Sequence, residues 1–223
     1  MADLTRVTGA TRAYYDTVAE EYAPRVREAF ARDVWGRAVL AGFAEEVRGD
    51  GGGPVADLGC GPGHVTAHLE GLGLDASGID LSPGMVAVAR RAHPGLRFEV
   101  GSMDALPLPD GELGGAVAWW SIMHTPPDLL DVLLAEFHRV LAPGGRLLLG
   151  FHAGDDGSYT GRPREGGVAY AIHLLDPGRV AALMERAGFT LTVRMEGEGG
   201  TWPWACLAGR RPPLGEDAGA AGS

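Results

Sequence analysis

Short apolar segments alternate with amphipathic segments between residues 55 and 151 of this 223-residue chain, and this alternation restricts the fold more than any other feature. The apolar segments predict strands over residues 55–58, 74–80, 97–101, 113–119 and 146–151. The segments between them predict helices over residues 63–71, 83–93 and 127–141. Strands that alternate with helices form a mostly parallel sheet with helices on both faces. The sequence therefore predicts an α/β fold with a doubly wound sheet.

Both ends of the chain extend this core. Residues 1–50 show helical periodicity, and we expect them to form an N-terminal helical cap that belongs to the same domain. Residues 189–196 and 201–208 predict an antiparallel hairpin at the sheet edge, which gives seven strands with an antiparallel last strand. The core then spans residues 51–209. Within it, the Gly-, Asp- and Arg-rich insert at 153–175 is expected to be a lid over the substrate, and residues 210–223 a disordered tail.

The composition excludes several classes of function. The chain has 19 Arg but no Lys, which rules out Schiff-base enzymes and the phosphate loops that need a lysine. Asn and Gln are also absent, so no side-chain amide can form the bidentate hydrogen bonds by which proteins recognise adenine in a nucleic acid. The net charge of −10 opposes binding to a phosphate backbone. We therefore expect a small-molecule partner and no nucleic acid.

The sequence also indicates where the protein works. No apolar run approaches the ~18 residues that a membrane span needs, and the N-terminus lacks an apolar signal region. Cys60 and Cys206 are far apart and have no metal-ligating neighbours in the sequence. We expect a cytoplasmic, reduced protein without a membrane partner or a bound metal.

The strongest local motif is D-L-G-C-G-P-G, from Asp57 to Gly63, which follows an apolar strand and begins a helix. Glycines at these positions let a ligand lie against bare main chain, and the helix N-terminus adds positive potential. Asp80 follows at the end of the next strand, where a carboxylate can accept hydrogen bonds from both hydroxyls of a ribose. Together these residues predict a nucleoside site.

The spacing of the glycines bears on which nucleoside is bound. A dinucleotide fingerprint that begins at Gly59 needs a glycine at position 64, where this chain has His64. A bulky side chain there obstructs close packing of the helix on the strand. A nicotinamide-dependent oxidoreductase is therefore the alternative rather than the preferred interpretation.

The order of the motifs resembles that of class I S-adenosylmethionine-dependent methyltransferases of the small-molecule type, over roughly residues 14–207. The resemblance implies the fold of that family and S-adenosyl-L-methionine as cofactor. It places Gly59, Cys60 and Gly61 beside the amino-acid half of the cofactor, and Asp57 within reach of its ammonium group. It also assigns Asp80 to the ribose. In addition, Leu81 and Met85 match positions that pack near the adenine.

Three further segments resemble parts of the family that contact the rest of the cofactor. Residues 101–107 are similar to the family's third-strand motif, with Ser102 in place of the acid that takes the adenine amine and with the Met103 amide facing the ring. Asp104 is an alternative partner for that amine. The N-terminal pattern Y-Y-D-x-x-A-x-x-Y is similar to a helix that folds over the cofactor, which implies a contact from Tyr14 or Tyr22. At the end of the fourth strand, Trp119 offers an aromatic wall that tolerates a cationic methyl group.

Methyl transfer is an in-line displacement in which the protein mainly aligns the two reactants, which can lower the barrier by roughly 7–11 kcal/mol. An acceptor that must lose a proton also needs a base, and histidine has a suitable pKa. The candidates are His124, His152 and His173, which follow the fourth strand, end the fifth strand and lie in the lid. Structural roles for these histidines, and catalysis by alignment alone, stay open.

The resemblance thus implies methyl transfer to an oxygen, nitrogen or carbon atom of a small acceptor, such as a secondary metabolite. A third possibility, besides the oxidoreductase, is a protein that keeps the nucleoside site for a non-methylating role.

Overall fold

The computed structural model describes residues 4–160 and 170–215. Its helices are α1 (Leu4–Arg32), α2 (Val34–Gly49), α3 (His64–Gly71), α4 (Pro83–Ala92), α5 (Leu130–Val140) and α6 (Pro177–Arg186). The first strands are β1 (Val55–Leu58), β2 (Ala76–Asp80), β3 (Arg97–Val100), β4 (Leu113–Trp119) and β5 (Leu141–His152). The later ones are β6 (Gly157–Thr160), β7 (Ala171–Leu174), β8 (Thr190–Gly197) and β9 (Trp204–Arg210). Two short 3-10 turns, Ile122–His124 and Pro127–Leu129, lie between β4 and α5.

Seven strands form one sheet in the order β3-β2-β1-β4-β5-β9-β8. Strands β1 to β5 pair in parallel, whereas β9 runs antiparallel to both β5 and β8. Because the order reverses at β1 and β4, the crossover helices cover both faces of the sheet. The predicted doubly wound sheet with an antiparallel last strand is confirmed.

The two faces of the sheet carry separate apolar cores. Helices α5 and α6 cover one face, where Phe137 and Phe151 are fully buried. Helices α2 and α3 cover the other, around Leu40 and Leu69. Strands buried on both faces are apolar along their whole length rather than alternating, which is why β1 and β4 were recognisable in the sequence.

The insert after β5 contains a pair of strands that the sequence analysis did not predict. Strands β6 and β7 pair antiparallel, with Ser158 opposite His173. The side chains of β6 are mostly exposed and have no apolar alternation, so nothing local marks it as a strand. Residues 161–169 of the expected lid lie outside the described residues.

The end of the chain also differs from the expected tail at 210–223. Strand β9 includes Arg210, and the Arg211 guanidinium donates hydrogen bonds to the carbonyls of His138 and Leu141. These contacts attach the chain to the end of α5, so the expected start of the tail at residue 210 is too early. Residues 216–223 lie outside the described residues.

Helix α1 lies across α4, near the carboxyl ends of the parallel strands. Ala19 and Ala23 of α1 pack on Met85 and Val88 of α4. One carboxylate oxygen of Asp16 accepts hydrogen bonds from the Ser82 hydroxyl at 2.6 Å and the Gly84 amide at 2.9 Å. The contact stabilises the beginning of α4, because the first amides of a helix have no partner within it. Along the described part of the chain, no helix is long and apolar enough to span a membrane.

We predict that Asp16→Ala loosens α1 from the rest of the molecule. Removing an acceptor of two hydrogen bonds costs about 1–3 kcal/mol. Hydrogen exchange of the α1 amides should therefore accelerate more than exchange in β1 or β4. Glu20→Ala is the matched control, because Glu20 also lies on α1 and forms only an exposed ion pair, with Arg91 of α4. Equal protection of α1 in both variants would contradict the prediction.

Candidate functional site

A cavity lies at the carboxyl ends of β1, β2 and β4, with α1 along one side. It encloses about 1040 Å³ of space between atoms, its open mouth included. All but one of the residues expected to bind the cofactor line this cavity: Tyr22, Asp57, Gly59, Cys60, Gly61, Asp80, Leu81, Met85, Ser102, Met103 and Trp119. The exception is Tyr14. Of the three candidate histidines, only His124 lines the cavity.

The glycine loop has the main-chain conformation that its sequence predicts. Gly59, Gly61 and Gly63 all have positive φ, which side-chain-bearing residues rarely adopt. A Cβ atom at Gly59 would overlap the Cβ of Ser121, so β4 approaches the loop without any space for a side chain. The loop therefore presents bare main chain to the cavity.

Close packing of α3 on the sheet is achieved at Gly63 rather than at position 64. A Cβ atom at Gly63 would lie 2.7 Å from the Phe98 ring. His64 instead begins α3, lines the cavity and contacts the ring of Phe30 edge to face, with ring centroids 5.1 Å apart. Phe30 also packs on His68, with ring centroids 5.3 Å apart. Burial lowers the pKa of His64 to about 4.

The carboxylate of Asp80 ties the glycine loop to the end of β2. One oxygen accepts a hydrogen bond from the Gly61 amide at 2.7 Å, and the other from the Ser82 amide at 2.8 Å. Burial raises the pKa of Asp80 to about 6, although both amide hydrogen bonds lower it. The remaining lone pairs of this carboxylate are available to hydroxyl donors from the cavity.

Asp57 is buried at the end of β1 and accepts a hydrogen bond from the Thr66 hydroxyl at 2.7 Å. Burial raises its pKa to about 7, and the neighbouring charge of Asp80 adds to the increase. Two buried carboxylates at one end of a cavity favour a cationic ligand. Cys60, between them, packs against Gly78, and burial raises the pKa of its thiol well above the usual value.

On the other side of β2, the Ser102 hydroxyl donates a hydrogen bond to the Asp104 carboxylate, and both residues line the cavity. The hydroxyl proton is committed to this contact, so the Ser102 oxygen presents only lone pairs to a ligand. The pair can therefore accept a hydrogen bond from an amino group. Met103, next to them, also lines the cavity.

The aromatic residues of the expected cofactor site have different surroundings. Tyr14 stacks on Tyr170, with ring centroids 3.8 Å apart, and faces the segment before β7. Tyr22 lines the cavity, and burial raises its pKa. Trp119 lies flat on Gly150 of β5, where a Cβ atom would lie 2.7 Å from the indole. Trp120 follows with a positive φ of 54°, which is rare for a bulky residue, and also lines the cavity.

His124 is buried and has hydrogen-bond partners on both ring nitrogens. Its Nδ1 lies 3.0 Å from the Ala171 carbonyl of β7, and its Nε2 lies 2.8 Å from the Tyr15 hydroxyl. Burial lowers the pKa of His124 to about 4, and the nearby His173 and His152 contribute in the same direction. The imidazole is therefore neutral at pH 7.

The other two candidate histidines lie outside the cavity. The His152 ring lies between Trp120 and Trp202, with centroids 4.9 and 5.0 Å away. His173 shares a hydrogen bond between its Nδ1 and the Ser158 hydroxyl at 2.7 Å, within the β6–β7 pair. Burial lowers the pKa of both imidazoles. His152 ends β5 and His173 lies on β7, and neither lines the cavity.

Several residues that line the cavity were not predicted from the sequence, among them Tyr15 and Arg12. Tyr15 lines the cavity beside His124, and Arg12 lies one turn earlier on α1. The placement of Tyr15, Val18, Ala19 and Tyr22 on one helical face was a usable signal for Tyr15. The resemblance instead implies a contact from Tyr14. On an ideal helix the side chain of Tyr14 points about 100° away from that of Tyr15. Among the described residues, no group of three or more His, Cys, Asp or Glu side chains is close enough to hold a metal ion.

Comparisons with known proteins agree with this geometry. Residues 55–145 match the family model described as "Methyltransferase domain". Trans-aconitate 2-methyltransferase of Methylobacterium nodulans is 44% identical over 98 residues, which cover 42% of this chain and 36% of that protein. A ubiquinone/menaquinone biosynthesis C-methyltransferase of Rubrivivax gelatinosus is 30% identical over 146 residues, which cover 65% of this chain and 54% of that protein.

Solved structures share the fold. Magnesium protoporphyrin IX methyltransferase from Synechocystis, with bound S-adenosylmethionine, superposes with a TM-score of 0.70 at 17% identity, covering 95% of this chain and 98% of that one. A 1,6-didemethyltoxoflavin-N1-methyltransferase of Burkholderia thailandensis has a TM-score of 0.59 at 23% identity, covering 87% of this chain and 90% of that one. The matched region spans between 36% and 54% of the two curated relatives above. Residues 55–145 therefore match a methyltransferase domain, and the described part of the chain has the fold of solved S-adenosylmethionine-dependent methyltransferases.

Proposed function

We propose that this protein transfers the methyl group of S-adenosylmethionine to an oxygen, nitrogen or carbon atom of a small acceptor. One observation carries the proposal: a single cavity combines a bare glycine loop, two buried carboxylates and an aromatic wall. The glycine loop and Asp57 suit the amino-acid half of the cofactor, Asp80 suits the ribose, and the aromatic wall suits the methylsulfonium group. An oxidoreductase finds less support, because His64 occupies the position of the third dinucleotide glycine.

In this proposal the amino-acid half of the cofactor lies against Gly59, Cys60 and Gly61, with its ammonium group near Asp57. The ribose hydroxyls donate to Asp80. The adenine packs between Leu81, Met85 and Met103, and its amino group donates to Ser102 or Asp104. Tyr22 and Trp119 close the sides, and Tyr14, which stacks on Tyr170 outside the cavity, acts on the cofactor only through the position of α1.

The acceptor then occupies the rest of the cavity, where Trp120, Thr125 and Leu133 line the wall beyond β4. The protein accelerates transfer mainly by holding the nucleophile in line with the sulfur–methyl bond and excluding water. Helix α1 and strand β7 lie at this end, where the Tyr15 hydroxyl and the Ala171 carbonyl contact His124. His124 is the preferred proton acceptor because it borders the cavity, whereas His152 and His173 serve the lid. The names of the relatives above include a small acid and quinone biosynthesis, which supports a small acceptor.

The same reasoning extends to the setting of the enzyme. Both cysteines are buried and free, and the chain is acidic, so we place the protein in the reducing cytoplasm without a nucleic-acid or membrane partner.

We predict that calorimetric titration of the protein detects S-adenosylhomocysteine and does not detect NAD(H). Both ligands carry an adenosine, so the comparison isolates the part of the cavity beyond the ribose. Selective binding of NAD(H) would contradict the proposed function and favour the oxidoreductase.

We predict that Asp80→Ala weakens S-adenosylhomocysteine binding by about 2–3 kcal/mol, because ribose hydroxyls lose their partner in a buried site. The variant also frees the Gly61 amide, so its circular dichroism spectrum and thermal transition are recorded in parallel. Asp75→Ala is the matched control, since Asp75 precedes β2 and forms an exposed ion pair with Arg97. An unchanged dissociation constant in Asp80→Ala would remove this residue from the proposed site.

We also predict that binding of S-adenosylhomocysteine strengthens as the pH rises from 5.5 to 8. Burial holds the pKa of Asp57 at about 7 and that of Asp80 at about 6 in the free protein. The proposed ligand binds their ionised forms, so binding below these values requires loss of a proton. The affinity at pH 5.5 should be at least about 10-fold weaker than at pH 8. Asp57→Asn should flatten the profile, and an equally steep profile in that variant would contradict the assignment.

A further inference from the structure

The hydrogen bonds around His124 have a fixed direction. The Ala171 carbonyl can only accept, so the Nδ1 atom of His124, 3.0 Å away, carries a proton. The buried imidazole is neutral, and its Nε2 atom therefore has a lone pair. That lone pair accepts the hydroxyl proton of Tyr15, which lies 2.8 Å away.

This direction determines what Tyr15 can offer to a ligand. Tyr15 lines the cavity, and its hydroxyl proton is already committed to His124. The phenolic oxygen therefore presents only lone pairs to the cavity. A ligand group at this point is held by a hydrogen bond only if it donates one.

The charged groups around the cavity also disfavour an anionic acceptor. Asp57, Asp80 and Asp104 all line it. Of the described residues that line it, Arg12 is the one Arg, and its guanidinium lies 3.7 Å from the Asp16 carboxylate. An anionic acceptor would find carboxylates and lone pairs here, which repel it.

We infer that the acceptor is a neutral molecule whose nucleophile is an O–H or N–H group, and that the Tyr15 oxygen receives the proton of this group. The inference rests on the proposed function and narrows its substrate class. It assigns Tyr15 as a catalytic residue and His124 as the positioning residue behind it.

The step balances as follows. The bond between the cofactor sulfur and its methyl carbon breaks, and a bond from the acceptor oxygen or nitrogen to that carbon forms. The acceptor proton moves to the Tyr15 oxygen, and the Tyr15 proton moves to Nε2 of His124. One positive charge thus passes from the sulfonium to the imidazole, so the net charge of the cavity is unchanged. The imidazole later returns its proton to water through the same chain.

The test uses protein saturated with S-adenosylhomocysteine and three probes of one shape: 1-naphthol, 1-methoxynaphthalene and 1-naphthoate. Only naphthol donates a hydrogen bond as a neutral molecule. Isothermal titration should show that naphthol binds about 5-fold more tightly than the methyl ether. This ratio is the effect that one neutral hydrogen bond has on a dissociation constant. Naphthoate should bind more weakly than either.

Variants separate the proposed role from general damage to the cavity. Tyr15→Phe should abolish the preference for naphthol over the methyl ether. Tyr159→Phe is the matched control and should retain it, because the exposed Tyr159 lies on β6 outside the cavity. In His124→Leu the Tyr15 hydroxyl proton becomes free to donate, so the preference should shift from naphthol toward the methyl ether and naphthoate. A merely structural role of His124 would weaken all three probes alike.

Turnover gives a second readout. With methyl-labelled cofactor and naphthol, Tyr15→Phe should lose about 100-fold in rate while its dissociation constant for S-adenosylhomocysteine stays within about 2-fold. The inference is overturned by equal binding of the probes, by a preference for naphthoate, by no saturable binding of any probe, or by a naphthol preference that survives in Tyr15→Phe. Failure of S-adenosylhomocysteine itself to bind is a separate result, which contradicts the proposed function.

Discussion

The carboxylate of Asp80 joins the two main-chain segments on which the cavity depends. It accepts hydrogen bonds from Gly61 in the glycine loop and from Ser82 at the beginning of α4. Burying a carboxylate is costly, and the raised pKa of Asp80 reflects that cost. The two amide hydrogen bonds offset part of it and hold the loop in its positive-φ conformation. Main-chain hydrogen bonds from the Gly59 and Cys60 amides to the Ile79 carbonyl hold the same loop, whose three glycines otherwise have large conformational freedom.

A second junction closes the other end of the cavity and joins parts of the chain that are distant in sequence. Tyr15 comes from α1, His124 from the turn after β4, and Ala171 from β7, and they form one chain of hydrogen bonds. Both hydrogen bonds are partly buried, so loss of either leaves a polar group of this chain without its partner. The cap, the core and the insert therefore complete this part of the site together. A ligand that orders one of them favours the order of the others.

Local patterns predicted the fold and the residues at the proposed cofactor end of the cavity, because the glycine loop directly follows the buried strand β1, and Asp57 and Asp80 lie near the carboxyl ends of β1 and β2. The acceptor end depends on packing between distant segments. Tyr14 and Tyr15 are adjacent and chemically identical, and only the docking of α1 on α4 decides which of them faces the cavity. Likewise, the pairing of β6 with β7 decides the partner of His173, and no local periodicity reveals it. The sequence therefore predicted the right helix and Tyr22, but Tyr14 in place of Tyr15.

The electrostatics of the two junctions complement each other under the proposed function. Asp57 and Asp80 favour a cationic cofactor, whereas the neutral His124 adds no positive charge to the acceptor end before reaction. Methyl transfer removes the charge from the sulfur. If the proton that leaves the acceptor moves through Tyr15 to His124, a positive charge appears at the opposite end as the first one disappears. The carboxylates are then accompanied by one cation in the cavity throughout the reaction. Burial disfavours the His124 imidazolium, so this imidazolium returns its proton to water once the products leave.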